Sequence, residues 1–291
     1  MNPNKRVRSM YKGAFGHKKG ELVMFVGFNL EDLNISFVGE YVQAGRVMFF
    51  EQKKHVEKEL NEFILGNGTI NGTALQNDWF PTVKADVFLS HSHGDQLVAM
   101  AFAAMLKEEF GLTAFIDSMV WGHADNLVKQ IDDSYSRNDN GIGYDYDKRN
   151  RSTSHVYTML SGALTKMMDK AECLFFINTP NSLMASDVVQ RTKSPWIFHE
   201  IATSSLLRKK EPLRYSQLKK SLLHYSAGKS KSLDIVYDLD LNHLKSLSPT
   251  DVILWQHFFR MRSTEDSLHP LDQLYKQTNV VNFKLEEYRG Y

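Results

Sequence analysis

From Lys84 onward, short apolar runs alternate with stretches of helical period, and this rhythm limits the fold more than any other feature. Ala85–Ser90, Leu112–Asp117, Cys173–Asn178 and Asp234–Leu239 each have the length and apolar density of a strand. Between them, Leu97, Ala101, Ala104 and Met105 recur at helical spacing, which predicts a helix from about Asp95 to Phe110 with Gly111 as its stop. Leu127 and Ile131 mark a second helix over Asp125–Ser136. Val156, Leu160, Leu164, Met167 and Met168 mark a third over Thr153–Lys170. Strands alternating with helices predict an α/β fold, a parallel sheet with helices on both faces. In such a sheet the ligand crevice lies at the carboxyl ends of the strands. Arg137–Arg151 is polar, contains glycine and reads as an irregular insertion loop.

The flanks read differently. Three β-like runs, Glu21–Phe28, Leu33–Val38 and Arg46–Phe50, precede a helical pattern over 51–65 that Gly66 would end. Residues 1–83 therefore read as a small α+β appendage to a domain spanning 84–242. Residues 243–291 read as a helical extension packed on that domain, with Ser248 capping, Pro249 opening, and a second short helix near Leu271–Gln277. An outward apolar face on these helices would serve self-association.

With 35 Lys plus Arg against 34 Asp plus Glu the net charge is +1, which argues against a dedicated nucleic-acid binder. Six cations between Lys5 and Lys19 form a basic arm, read as solvated. The single cysteine, Cys173, excludes an intramolecular disulfide and, inside an apolar run, reads as a core thiol. No leader pattern and no bilayer-length apolar segment is seen, so the expected setting is cytoplasmic with no membrane partner. Asn67-Gly68-Thr69 and Asn71-Gly72-Thr73 read as turns rather than glycosylation sites.

The chemistry centres on Ser194-Pro195-Trp196-Ile197-Phe198-His199-Glu200-Ile201. Ser194 is a good N-cap and Pro195 suits the first helical position, so a helix of about 195–209 is predicted. Trp196 and Glu200 are four apart and share a face, with Ile197 and Ile201 on the adjacent one. Taken alone this is a part-buried Trp and a solvated Glu.

Four motifs in series change that reading. Asp86-Val87-Phe88-Leu89-Ser90-His91 with Asp95 beyond it resembles the first strand and loop of a Toll/interleukin-1 receptor (TIR) domain. Ala114-Phe115-Ile116-Asp117 resembles the second strand. Cys173–Pro180 resembles the third strand and its turn. Trp196 through Glu200 resembles the helix in which bacterial NAD-consuming members carry their catalytic glutamate. The resemblance covers roughly 84–240 and implies a flavodoxin-like sheet. The long segments at 137–151 and 179–194, and the stretch 210–232, depart from the family pattern.

The resemblance also implies cleavage of the bond between nicotinamide and ribose in NAD, which is substrate rather than cofactor. The products would be nicotinamide and linear, cyclic or conjugated ADP-ribose. It further implies activity dependent on self-association, an effector that senses the product, and a role in antiviral defence. Glu200 would be catalytic, stabilising an oxocarbenium-like ribosyl cation. Trp196 would wall the pocket, or be a core Trp. Trp121 would stack on a base and Gly122 allow close approach, or both belong to an ordinary loop with Asp117. Ser90, His91 and His93 fall near the crevice as contacts to ribose or phosphate. The two histidines have no third ligand at metal spacing, so no metal is expected. No esterase elbow, Walker A or dinucleotide fingerprint is present. The rival readings are a non-catalytic TIR adaptor and another nucleoside-processing enzyme of flavodoxin-like fold.

Overall fold

The computed structural model describes residues 26–52, 59–120, 124–184, 190–207, 212, 237–262 and 269–280. Its core is a five-stranded parallel sheet of β1 (Val26–Glu31), β2 (Val87–Ser90), β3 (Ala114–Phe115), β4 (Cys173–Asn178) and β7 (Lys245–Leu247), in the order β3-β2-β4-β1-β7. With helices on both faces, this is the expected flavodoxin-like α/β arrangement. Two short strands, β5 (Arg191–Thr192) and β6 (Tyr237–Asp238), pair antiparallel outside it.

The central strands are apolar because both of their faces are covered. On one face Val26, Phe28, Leu30, Val87, Leu89 and Phe175 pack with α4 (Gln96–Phe110), α9 (Pro249–Arg260) and α10 (Pro270–Gln277). On the other, Phe88, Leu174 and Phe176 pack with α6 (Ala124–Tyr135), α7 (Tyr146–Lys170) and α8 (Pro195–Leu206). Gly111 stops α4 in the left-handed region, at φ 70°, where glycine carries no Cβ penalty. Ser248 and Asp251 form a reciprocal capping box at the start of α9. Trp255 of α9 stacks on Phe110 with ring centroids 3.8 Å apart, so the C-terminal helices cover the sheet. Cys173 is buried in β4, and burial pushes its thiol well above the usual range.

Several expectations are corrected. The stretch before residue 84 does not stand outside the sheet: β1 sits between β4 and β7, buried along nearly its whole length. Leu33–Val38 is not a strand. Asn34 accepts bonds from the backbone N–H groups of Ser36 and Phe37 and starts α1 (Ile35–Val38). Arg46–Phe50 lies inside α2 (Val42–Gln52), which packs on α4. Gly45 permits that approach, since a Cβ there would lie 2.6 Å from the Met100 carbonyl oxygen. Of the helix expected over 51–65, residues 53–58 lie outside the described residues, and Leu60–Phe63 form a single 3-10 turn.

The run 234–239 does not supply a fourth parallel strand. Its described part pairs with β5, and β7 within the expected helical extension supplies the sheet's edge. Asn71 caps α3 (Gly72–Trp79) rather than making a turn, whereas Asn67–Thr69 is a turn with Gly68 at φ 83°. The segment after α6 is ordered: Tyr144 donates to Asp133, and α7 begins at Tyr146 behind the Asp145 cap. The basic arm lies outside the described residues.

Candidate active site

Glu200 is placed by the local logic of α8. The hydroxyl of Ser194 accepts the N–H of Ile197 at 3.2 Å, and Pro195 occupies the first turn. Residues 197, 200, 201 and 204 are the buried ones, and that spacing is the core-facing stripe of a helix. Glu200 therefore lies in the stripe itself, only 2% exposed, at the carboxyl end of the sheet. Its Oε2 accepts a 2.5 Å hydrogen bond from Ser90 Oγ, the last residue of β2.

This position governs the carboxyl's charge. Burial is the largest effect and raises its pKa well above the ordinary glutamate range. The negative charge of Asp117 raises it further, and the Ser90 bond opposes both. The free protein thus holds a proton on Glu200 to higher pH than an ordinary glutamate does.

A second group lies beside it. His91 follows Ser90 directly, and its side chain is 2% exposed. Its Nε2 is 3.1 Å from Ser118 Oγ, and its Nδ1 is 4.0 Å from Asp117 Oδ1. Burial lowers the imidazole's pKa, against the opposing pull of Asp117 and the Leu89 carbonyl. Asp117 and Ser118 begin the short helix α5 (Asp117–Val120) after β3, and Asp117 acts electrostatically on both His91 and Glu200.

Sequence reasoning thus named Ser90, His91, Asp117 and Glu200, and the fold brings these together. His93 diverges: it is exposed and its Nδ1 meets Gln96 Nε2 at 3.2 Å. Trp196 packs against the edge of the core cluster that holds Ile197 and Ile201. It is half-buried, with its ring 5.7 Å from that of Tyr157 on α7. Trp121 and Gly122 lie outside the described residues. Among the described residues no three His, Cys, Asp or Glu side chains converge as a metal cluster.

Two features were missed. Ser118 is the partner of His91, and its signal was its place one residue beyond the strand-ending Asp117. Asp95 is the hub of a buried polar clamp. It accepts from Ser92 Oγ at 2.8 Å, Thr179 Oγ1 at 2.5 Å and Asn181 Nδ2 at 2.8 Å, tying the loop after β4 to the loop after β2. The cluster Thr179, Asn181 and Ser182 after β4, with Ser92 and Asp95 after β2, was the available signal. Gly94 fits under this clamp, with the Asn181 side chain 3.2 Å from where a Cβ would sit.

In comparisons with known proteins, the chain matches no family model, no curated protein and no solved structure. Among the described residues no helix is long and apolar enough to cross a membrane.

Proposed function

We propose that this chain is a TIR-type enzyme that cleaves the nicotinamide–ribosyl bond of NAD. One observation carries the reading: a buried carboxyl, Glu200, is held at the carboxyl rim of a parallel sheet by the hydroxyl that ends β2. Nicotinamide is a cation while attached and leaves neutral, so its departure needs no acid. The electron deficit passes to ribose, and a carboxylate beside C1′ stabilises it.

A carboxyl that keeps its proton to higher pH than an ordinary glutamate suits this task. A positive ring entering the site favours the ionised carboxylate and displaces its proton. The full negative charge then exists only when the cation is present, in surroundings that screen it weakly. Trp196 and Asp117 contribute to the walls of the substrate site, and Ser90 orients the carboxyl. The reaction releases nicotinamide and an ADP-ribosyl product that an effector senses, in the cytoplasm, as part of antiviral defence.

The test is concentrated full-length protein incubated with NAD, nicotinamide being quantified by chromatography. Release by the wild type and a loss of about 10²–10³-fold in Glu200→Gln support the reading. Equal release by the folded variant ends it.

A second reading, a TIR adaptor without catalysis, is favoured by the outward face of α9, where Ile253 is 52%, Phe258 48% and Met261 73% exposed. It predicts self-association with no nicotinamide release under any assembly condition.

A further inference from the structure

Breaking the nicotinamide–ribosyl bond leaves a proton to be placed. Water or a sugar hydroxyl captures the ribosyl cation, and its O–H proton must go to a base. Glu200 is poorly suited. It is buried, engaged by Ser90, and required as the charge opposite the cation.

We propose that Ser118 and His91 are the proton-accepting arm of this site and decide how fast the ribosyl cation is captured after nicotinamide leaves. The inference rests on the NAD-cleaving reading. Ser118 is half-buried and stands at the rim where β3 ends, so its hydroxyl is the outer contact. Its Oγ is 3.1 Å from His91 Nε2. Behind it the imidazole is shut in, with Nδ1 facing Asp117 at 4.0 Å. When Nε2 accepts from Ser118, the ring proton is on Nδ1, the tautomer that the Asp117 carboxylate favours. Burial keeps the free imidazole neutral and therefore able to accept.

The step balances. The C1′–N bond breaks and its electron pair leaves on the nicotinamide nitrogen. The incoming oxygen bonds to C1′ and its proton passes to Ser118 Oγ. The hydroxyl proton of Ser118 moves to His91 Nε2. The resulting imidazolium faces Asp117 and later returns its proton to solvent. Ser118 thus touches the attacking group, and His91 acts through it.

His91→Gln and Ser118→Ala test this in the full chain. Two rates are read with each: incorporation of labelled nicotinamide into NAD, which reports bond breaking and re-forming, and formation of the captured product. Product mass tells water from a sugar hydroxyl as the captor. In both variants capture falls by about 10²-fold or more while exchange persists, so the exchange-to-capture ratio rises. Capture at the wild-type rate in folded His91→Gln and Ser118→Ala overturns the proposal. So does a parallel loss of exchange and capture in folded Ser118→Ala, a small change at a half-buried hydroxyl. A wild type that shows neither exchange nor nicotinamide release refutes the NAD-cleaving reading and the arm with it. A wild type that exchanges, beside variants with an unmoved ratio, refutes the arm alone.

Discussion

Replacing Glu200 by Gln separates folding from function, and the structure sets the sign of both effects. Glu200 is buried, and its folded-state pKa lies above its unfolded value. Between those two values the native chain holds a proton that the unfolded chain has released. Stability therefore falls as pH rises through that window, starting near the ordinary glutamate pKa of about 4.3. The slope approaches about 1.4 kcal/mol for each pH unit over which the native carboxyl stays protonated. Gln has the same shape and still accepts from Ser90 Oγ, but it does not titrate. At pH 5 the two proteins melt close together. As pH rises through that window Glu200→Gln melts progressively higher, by roughly 2–4 °C per kcal/mol in a chain of this order of size. The assay is thermal unfolding across pH, with the difference between the two curves cancelling every other titrating group. Parallel curves, or a variant that loses ground at pH 8, would mean that Glu200 is already ionised and paired in the free protein, and the electrostatic argument would fail.

Other outcomes follow from the same contacts. Ser90→Ala removes the one bond that lowers the Glu200 pKa, so the acid limb of the pH–rate profile for nicotinamide release moves to higher pH. Gly45→Ala places a Cβ against the Met100 carbonyl and forces α2 off α4, costing about 1–3 kcal/mol in denaturant unfolding. Trp255→Ala removes the ring stacked on Phe110 and the 2.9 Å bond to the Pro270 carbonyl, costing about 3–5 kcal/mol by the same measurement.

What the sequence disclosed was local. Gly111 behind an apolar helical repeat, Ser194-Pro195, and Ser248-Pro249 each mark a helix end through a backbone need that one residue meets. The strands β2 and β4 were legible because both their faces are buried and their residues are apolar throughout. What remained hidden was non-local. Asp-Ile-Val-Tyr-Asp-Leu at 234–239 and Val-Gly-Phe-Asn-Leu-Glu at 26–31 both look like strands, and only packing decides which enters the sheet. The acid at 238 suits an edge position, where Asp238 pairs with Arg191 at 2.8 Å and Tyr237 stacks on Phe198. Leu33–Val38 and Arg46–Phe50 were short apolar runs with no period of their own, which a cap and a neighbouring helix turned into helix.

The site divides in the same way. Ser90, His91 and Asp117 were legible from the rule that ligands gather at strand ends. Glu200 was legible as a candidate, though not as a buried group. Its alignment with Ile197, Ile201 and Ser204 was present in the spacing, but an acid in an apolar stripe is ordinarily read as solvated. The contact between Ser118 and His91 joins residues 27 apart, and their places at strand ends put both at the rim without showing that they meet.

The most direct measurement is calorimetric titration with a carbocyclic NAD analogue, which keeps the positive nicotinamide ring but cannot be cleaved. Binding to the wild type in buffers of different ionisation heat should report proton release, and Glu200→Gln should report none. Binding whose heat is the same in every buffer, or proton release unchanged in the variant, would contradict a Glu200 that faces the substrate's cation.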